Sequence, residues 1–380
     1  MKELTYSNLK QLNPDSYILI DTRDPGSILY GMIPGAIHIA EQELYDDLAR
    51  YAGEFDPQKE VILYCQRGVR SVELAKAFEE QGRECSSLSG GYLAYLRDTV
   101  SSDDENGEIR PKAEDSIRQK YRPRLLEPFS KACEQYELIS EGDHIAVCIS
   151  GGKDSMLMAK LFQEFQTLSR VSFDLTFLVM DPGYNADNRN LIEHNARVLG
   201  IPITIFESDI FDAVDTVEKN PCYLCARMRR GYLYSQAKEL GCNKIALGHH
   251  YDDVIETTLM GLLHGGQVQT MMPKLRSTSF EGMELIRPMY LIREEDICNW
   301  RDYNKLHFLQ CACHFTETCS TCHEDGTTAS KRLETKKLIA KLKKTDPQVE
   351  ANIFSSVSNA DLTSVIAYKE DGVRHHFLEK

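Results

Sequence analysis

Three short runs in this sequence combine residue types and spacings that suit chemistry better than packing. The first is Cys65-Gln66-Arg67-Gly68-Val69-Arg70-Ser71, where a thiol stands at the exit of an apolar stretch, among polar neighbours. Backbone N–H groups curling around Cys65, with Arg67 and Arg70 close by, would hold a thiolate or a persulfide anion. The second is Ser150-Gly151-Gly152-Lys153-Asp154-Ser155. Its glycines let the backbone approach a phosphate, and the helix that follows offers unpaired N–H groups at the positive end of its dipole. Ser150 and Ser155 add hydroxyl donors. Asp154 is the odd member, since a carboxylate beside a phosphate is repulsive unless Mg²⁺ lies between them. The spacing is not that of a Walker A loop, and the competing reading is a tight strand–helix turn. The third run is Pro221-Cys222-Tyr223-Leu224-Cys225-Ala226-Arg227-Met228-Arg229-Arg230. Pro221 suits a first helical position, so Cys222 and Cys225 fall three apart on one face of the opening turns. A helix N-terminus and three arginines favour thiolates there. By themselves these residues leave zinc binding, redox chemistry and coincidence open.

The elements needed to position these groups are legible. Tyr17 to Ile20 and Val61 to Tyr64 are four-residue apolar runs, as buried parallel strands show, with a helical pattern from Glu41 to Tyr51 between them. A helix over Val72 to Glu80 follows Cys65. A second βα series begins with a strand at His144 to Ile149 and a helix at Met156 to Phe165. Further strands are predicted at Leu175 to Met180, Ile203 to Phe206 and Lys244 to Leu247. That is the grammar of an open, mostly parallel sheet that binds ligands beyond the carboxyl ends of its strands. The fold class is therefore α/β, in four stretches. Residues 1–100 form one parallel-sheet domain, 101–115 an acidic linker, and 116–300 a Rossmann-like doubly wound domain. Residues 301–380 hold a cysteine-rich segment, a basic helix at Ser330 to Lys344 and a tail.

Composition limits the function. The chain has 380 residues, 12 cysteines and a formal net charge of −14. That balance argues against a general nucleic-acid coat but leaves room for a local basic patch. The first 110 residues carry −9 of it and the remainder −5. No apolar run approaches the ~20 residues of a membrane span. The opening Met1-Lys2-Glu3-Leu4-Thr5 lacks a signal peptide's apolar segment, so a cytoplasmic protein without membrane attachment is expected. In a reducing compartment the cysteines read as ligands, catalytic thiols or packing residues rather than disulfides. Cys85, Cys133, Cys148, Cys242 and Cys298 lie in strand or helix patterns and are expected to pack. Cys311-Ala312-Cys313 and Cys319-Ser320-Thr321-Cys322, flanked by His314 and His323, could make a tetrathiolate zinc site, although a one-residue gap is unusual for zinc.

The second run resembles the PP-loop ATP-pyrophosphatases, whose hallmark is Ser-Gly-Gly-x-Asp-Ser. The resemblance implies an adenine-nucleotide α-hydrolase fold and cleavage of ATP, with Mg²⁺, between the α- and β-phosphates to adenylate a carbonyl oxygen. Two further segments are similar to that family's: Met180-Asp181 at a strand end, where adenine would lie, and Gly248-His249-His250-Tyr251-Asp252-Asp253. The implied nucleotide-binding residues are Ser150, Gly151, Gly152, Lys153, Asp154, Ser155, Met180, Asp181, Gly248, His249 and Asp253. The histidine–aspartate segment has a plainer reading as a helix cap.

With the third run included, residues 116 to 361 resemble the tRNA 2-thiocytidine synthetase branch of that family, which has Pro-Cys-x-x-Cys-Ala-Arg-x-Arg-Arg-Gly. The resemblance implies a four-iron, four-sulfur cluster on Cys222, Cys225 and one later cysteine, with the fourth iron open to sulfur. Here the chain departs from the family, which has a single Cys-x-x-Cys in the later segment. The apolar approach Leu306-His307-Phe308-Leu309 favours Cys311 as the third ligand, then Cys313, then Cys319. Residues 1 to about 98 resemble a single-domain rhodanese: Asp21-Thr22-Arg23, Gly31-Met32-Ile33-Pro34-Gly35-Ala36 and Leu88-Ser89-Gly90-Gly91 match its segments, with Met32 in place of the usual histidine. That resemblance makes Cys65 a persulfide carrier, with Asp21 and Arg23 holding its loop.

Together these expectations describe ATP-dependent thiolation of tRNA, at cytidine 32 of the anticodon loop, with Cys65, Asp154, Cys222 and Cys225 as the reacting set. The partners expected are tRNA and a sulfur donor such as a cysteine desulfurase, with a homodimer as one assembly the reading allows. Lys331, Arg332, Lys336, Lys337, Lys341, Lys343 and Lys344 would grip tRNA phosphates or form a solvated helix face. Residues 101 to 108 are expected to be flexible enough for Cys65 to visit the second site. Two other readings stand beside this one: 2-thiouridine synthesis by the same chemistry, and a zinc-stabilised RNA-binding module in which the rhodanese part only sequesters sulfur.

Overall fold

In the computed structural model, residues 2–102, 107–208, 210, 221–309, 331–370 and 372–379 are described. The chain divides into two compact units, Met1–His250 with Pro273–Thr328, and Tyr251–Met272 with Ala329–Lys380. The sequence reading placed residues 251–272 in the middle domain; by contact they group with the C-terminal helices.

The first unit holds two sheets. The N-terminal one has five strands, β1 (Lys2–Leu4), β2 (Tyr17–Asp21), β3 (Ile37–His38), β4 (Glu60–Tyr64) and β5 (Cys85–Leu88), all parallel in the order β1-β5-β4-β2-β3. β4 is central, and Val61, Ile62, Leu63 and Tyr64 are all fully buried, as expected of a strand covered on both faces. Ile20, Val61, Leu63, Leu74, Phe78 and Cys85 form one core cluster against helix Arg70–Glu80. The single helix expected over Glu41 to Tyr51 is instead a pair, Glu41–Asp46 and Leu48–Glu54, broken where Asp47 takes φ −142°.

The stretch expected to be a linker over 101–115 is helical at both ends. Helix Gly91–Ser102 runs into it, and helix Ile109–Arg118 begins within it. Burial explains the second helix. Ala113, Ser116 and Ile117 are buried, and Ser116 Oγ accepts hydrogen bonds from Trp300 Nε1 at 3.1 Å and Asn304 Nδ2 at 3.0 Å. Partners nearly 190 residues away decide this helix, and no local pattern reports them.

The second sheet has six strands: β6 (His144–Ile149), β7 (Asp174–Asp181), β8 (Ile203–Glu207), β9 (Lys244–Ala246), β10 (Lys274–Arg276) and β11 (Glu284–Ile286). Their order is β10-β11-β9-β6-β7-β8, parallel except for the edge pair β10 and β11. From β6 the chain steps outward to β7 and β8, then returns to place β9 on the other side of β6. The order reverses there, and the crevice beyond the carboxyl ends of β6 and β9 is where such a sheet receives a ligand.

The second unit comprises helices Tyr251–Gly265, Lys331–Lys343 and Val349–Ser356 and a hairpin of β12 (Ala367–Glu370) and β13 (Val373–His376). Tyr251 stacks on Phe354 with ring centroids 4.2 Å apart. Among the described residues no helix is long and apolar enough to cross a membrane.

Candidate active sites

β4 ends at Tyr64, and Cys65 is the first residue beyond it. The chain then curls back so that Gly68 N–H points at Cys65 Sγ at 3.2 Å, with Ser71 Oγ at 3.5 Å. The curl needs two left-handed glycines. At Gly68 (φ +81°) a Cβ would sit 2.6 Å from Leu88 O, and at Gly91 (φ +55°) it would sit 2.6 Å from Gly68 N. The loop is closed from outside by Tyr92 N–H donating to Cys65 O at 3.0 Å and Leu93 N–H donating to Gln66 O at 3.1 Å. Sγ thus sits in a cup of N–H and O–H donors that suits an anionic sulfur.

Asp21 and Arg23 form a buried pair at 2.6 Å beside this cup. Arg23 Nη2 also donates to Gly31 O at 2.7 Å, and its guanidinium lies 3.7 Å from the centre of the Tyr92 ring. Tyr64 Oη donates to Asp21 Oδ2 at 2.7 Å and receives Ile33 N–H at 3.1 Å. This network pins the 31–33 segment and the strand that presents Cys65, and it leaves the thiol itself alone.

The second site lies at the reversal point. Ser150, Gly151 and Gly152 bridge β6 to helix Lys153–Leu168, with Gly152 as its cap residue and Gly151 at φ +83°. A Cβ on Gly151 would meet Ile192 Cγ1 at 2.5 Å. Ser155 Oγ receives Ser150 N–H at 3.1 Å and donates to Gly152 O at 3.0 Å, which folds the loop over the first turn. Gly248, beyond β9, approaches so closely that a Cβ there would be 3.2 Å from Ser155 N. The phosphate loop and one of the two further segments similar to the PP-loop family's therefore meet at backbone distance. A helix start of this kind can receive a phosphate.

The charged side chains add details that the sequence did not reveal. Lys153 is 1% exposed, and its ammonium donates to both Asp154 oxygens at 2.9 and 3.1 Å and to Glu294 Oε1 at 3.2 Å. Glu294 opens helix Glu294–Tyr303, with nothing in its surrounding sequence to mark it. His250, absent from the expected set, is buried with Nε2 3.9 Å from Asp154 Oδ1. Arg287 Nε lies 3.3 Å from His249 Nδ1 and donates to it. Met180 and Asp181 end β7 as expected. The Asp181 carboxylate, however, caps its own turn, accepting Gly183 N–H at 2.9 Å and Tyr184 N–H at 2.7 Å, and pairs with Arg189 at 3.2 Å. Asp253, expected at the nucleotide, is engaged by Arg332 within the second unit, and Arg332 also donates to Glu256 at 2.7 Å. One residue of the basic helix thus faces inward.

The cysteine helix begins at Pro221, running to Glu239, as the proline suggested. The side chains of Cys222 and Cys225 lie outside the described residues, as do Cys311, Cys313, Cys319 and Cys322 entirely. The chain approaches that last segment from the phosphate loop: Leu309 N–H donates to Gly151 O at 3.2 Å. Cys85, Cys133, Cys148 and Cys242 are buried packing thiols. Burial pushes Cys85 and Cys148 up to about 12, so neither is a thiolate at neutral pH. Cys298 is half-buried, its thiol also raised by burial.

Comparison with known proteins places both halves. The chain matches the rhodanese-like domain family over residues 5–98 and the PP-loop domain family over residues 121–313. It is 33% identical over 239 residues to a tRNA-cytidine(32) 2-sulfurtransferase of Anaeromyxobacter dehalogenans, covering 62% of this chain and 79% of that one. It is 32% identical over 240 residues to the protein of that name from Citrifermentans bemidjiense, covering 62% and 90%. A solved U34-tRNA thiolase, NcsA from Methanococcus maripaludis with its [4Fe-4S] cluster, aligns at TM-score 0.48 and 21% identity over 63% of this chain and 80% of that one.

Proposed function

Because this chain belongs to the PP-loop family and carries a rhodanese-like domain ahead of it, we propose that it thiolates tRNA at cytidine 32, with ATP as activator and Cys65 as sulfur carrier. The observation carrying this reading is the pairing, in one unit, of a donor-lined thiol after β4 with a phosphate loop at the reversal point of the second sheet. A persulfide carrier alone has no use for ATP, and an adenylating enzyme alone needs a nucleophile. The relatives named for the cytidine reaction support the choice of base.

ATP phosphates would meet the start of helix Lys153–Leu168, at the positive end of its dipole. The base oxygen O2 attacks the α-phosphorus, pyrophosphate leaves, and C2 carries an adenylate that sulfur then displaces with loss of AMP, the two electrons that turn persulfide sulfur into thiocarbonyl sulfur coming from a thiol reductant. Lys153 holds Asp154 in the structure. A Mg²⁺ ion on Asp154 would supply the charge that lets carboxylate and phosphate sit together, freeing the Lys153 ammonium to face the nucleotide. Cys222 and Cys225, at the start of helix Pro221–Glu239, together with Cys311 would hold a four-iron, four-sulfur cluster whose chemistry is to bind sulfur at an iron without a protein ligand. Cys311 is preferred to Cys319 because the apolar run Leu306-His307-Phe308-Leu309 leads into it.

The test is mass spectrometry of tRNA nucleosides from a strain lacking the gene, complemented by wild type or by Cys65→Ala. Loss of 2-thiocytidine without the gene, its return with wild type, and weak return with Cys65→Ala are expected. Loss of 2-thiouridine instead would transfer the reading to a different base, and unchanged nucleosides would refute it.

A further inference from the structure

Helix Gly91–Ser102 touches both chemistries. At its N-terminus it closes the Cys65 loop through the Tyr92 and Leu93 amides. Beyond that turn it is seated on the PP-loop part of the same unit, against helix Ala186–Leu199. The Tyr95 ring meets His307 edge-on with centroids 5.5 Å apart, and Arg97 Nη1 lies 3.5 Å from the Asp187 carboxylate. Burial pushes the Tyr92 phenol up to about 12 against the pull of Arg23 and of Arg301, which comes from helix Glu294–Tyr303. Tyr92 and Tyr95 are 1% and 4% exposed. His307 in turn lies two residues before Leu309, whose amide is bonded to Gly151 O. A continuous run of contacts therefore leads from the Cys65 carbonyl through Tyr92, Tyr95 and His307 to the phosphate loop.

We propose that Gly91–Ser102 is a docking helix: the rhodanese-like domain hands on its sulfur from a fixed seat on the PP-loop domain, with Tyr95, Arg97, Asp187 and His307 as positioning residues. This rests on the function proposed above and replaces the expectation of a carrier swinging on residues 101–108. An aromatic edge contact and an ion pair together hold two surfaces in one register, and a fixed register removes the search that a flexible tether requires. The transfer itself is persulfide exchange. An acceptor thiolate of the PP-loop domain attacks the outer sulfur of Cys65–S–S⁻, the S–S bond to Cys65 breaks, a new S–S bond forms on the acceptor, and Cys65 leaves as a thiolate with no net oxidation. When the outer sulfur then displaces AMP from C2, a second thiol, added as dithiothreitol, attacks the acceptor sulfur, supplies the two electrons that release the thiocarbonyl and is left as a disulfide.

The experiment uses the full chain with Cys65 loaded from radiolabelled thiosulfate, and follows single-turnover sulfur transfer to tRNA. Hydrogen exchange is read on residues 91–102 and 186–199 without tRNA. Arg97→Glu with His307→Ala is expected to speed exchange in both segments and slow transfer about fivefold or more, the scale of losing an exposed pair and an aromatic contact. Thiosulfate–cyanide turnover at Cys65 should be unchanged. Arg97→Glu combined with Asp187→Arg should restore transfer, which a general packing defect would not allow. Inserting ten Gly/Ser residues after Asn106 should leave the rate as it was. Unaltered exchange in the variants would refute the seat. Faster exchange with unaltered transfer, or a rate that falls with linker length alone, would refute its role. Wild type that places no label in tRNA would instead count against the proposed function, while the exchange data would still test the seat.

Discussion

Asp154 shows what a single residue type can announce. A carboxylate inside a phosphate loop is electrostatically wrong without a cation, and in the structure it does have one: the Lys153 ammonium at 2.9 Å, shared with Glu294. Asp154 was legible because its neighbours are contiguous in sequence. Glu294 and His250 were not, because their place at Lys153 and Asp154 is made by the second sheet and by helix Glu294–Tyr303. If the carboxylate's task is to carry Mg²⁺ to the nucleotide, Asp154→Ala should lower tRNA-dependent formation of AMP and pyrophosphate at least about a hundredfold, as loss of a transition-state charge partner does. Thiosulfate–cyanide turnover at Cys65 should remain, showing that the chain is folded. A folded variant releasing AMP at the wild-type rate would show that Asp154 is only a helix-start residue.

At the scale of elements, the strands that present the sites were read to within two residues at either end, because parallel central strands are continuous apolar runs. What escaped was short or decided at a distance. β10 and β11 are three residues each, and the split of the 41–54 helices turns on one dihedral at Asp47. Two predictions belong here. Gly91→Ala would drive a Cβ into the Cys65 carbonyl and toward Gly68 N, so sulfur loading of Cys65 should fall at least about tenfold, while ATP cleavage by the second sheet continues. Equal loading would mean that the cup reorganises without cost.

The second prediction concerns Asp143, which ties β6 to β9 through Lys244 at 2.7 Å, Asn243 Nδ2 at 2.7 Å and Ser140 N–H at 2.6 Å. Burial alone would raise its carboxyl, but these partners outweigh it and hold the group below its ordinary range. The stability it contributes is therefore present above the unfolded carboxylate's value of about 4 and lost as pH falls through the lower folded value. Asp143→Asn should cost about 3 kcal/mol at pH 7, and the gap to wild type should narrow as the pH drops below about 4. Urea denaturation at both pH values reads this directly, and a gap independent of pH would remove the carboxylate from the account.

For the whole molecule the question raised by the proposed function is how a chain of net charge −14 would grip a polyanion. Most of the excess negative charge lies in the first 110 residues, so the remainder is much nearer to neutral. The basic helix Lys331–Lys343 sorts its charges by face. Thr335 and Ile339 are buried, Arg332 is committed to Asp253 and Glu256, and Lys343 pairs with Glu350 at 2.8 Å. Lys337 and Lys341 are exposed, as is Lys344 just beyond the helix end. The sequence could count these lysines but could not sort them, since the sorting depends on which side helix Tyr251–Gly265 covers. If the exposed three contact phosphates, each releases counterions on binding. Replacing all three with Glu should then weaken tRNA binding about tenfold or more at low salt and reduce the slope of log affinity against log salt by about two to three. Arg332→Ala should instead lower thermal stability, because it leaves the buried Glu256 without its partner, and should leave the salt slope as in wild type. Filter binding across a salt series separates the two outcomes. An unchanged slope in the triple variant would make this face a solvated one, and the phosphate grip would have to come from Arg227, Arg229 and Arg230 on the cysteine helix.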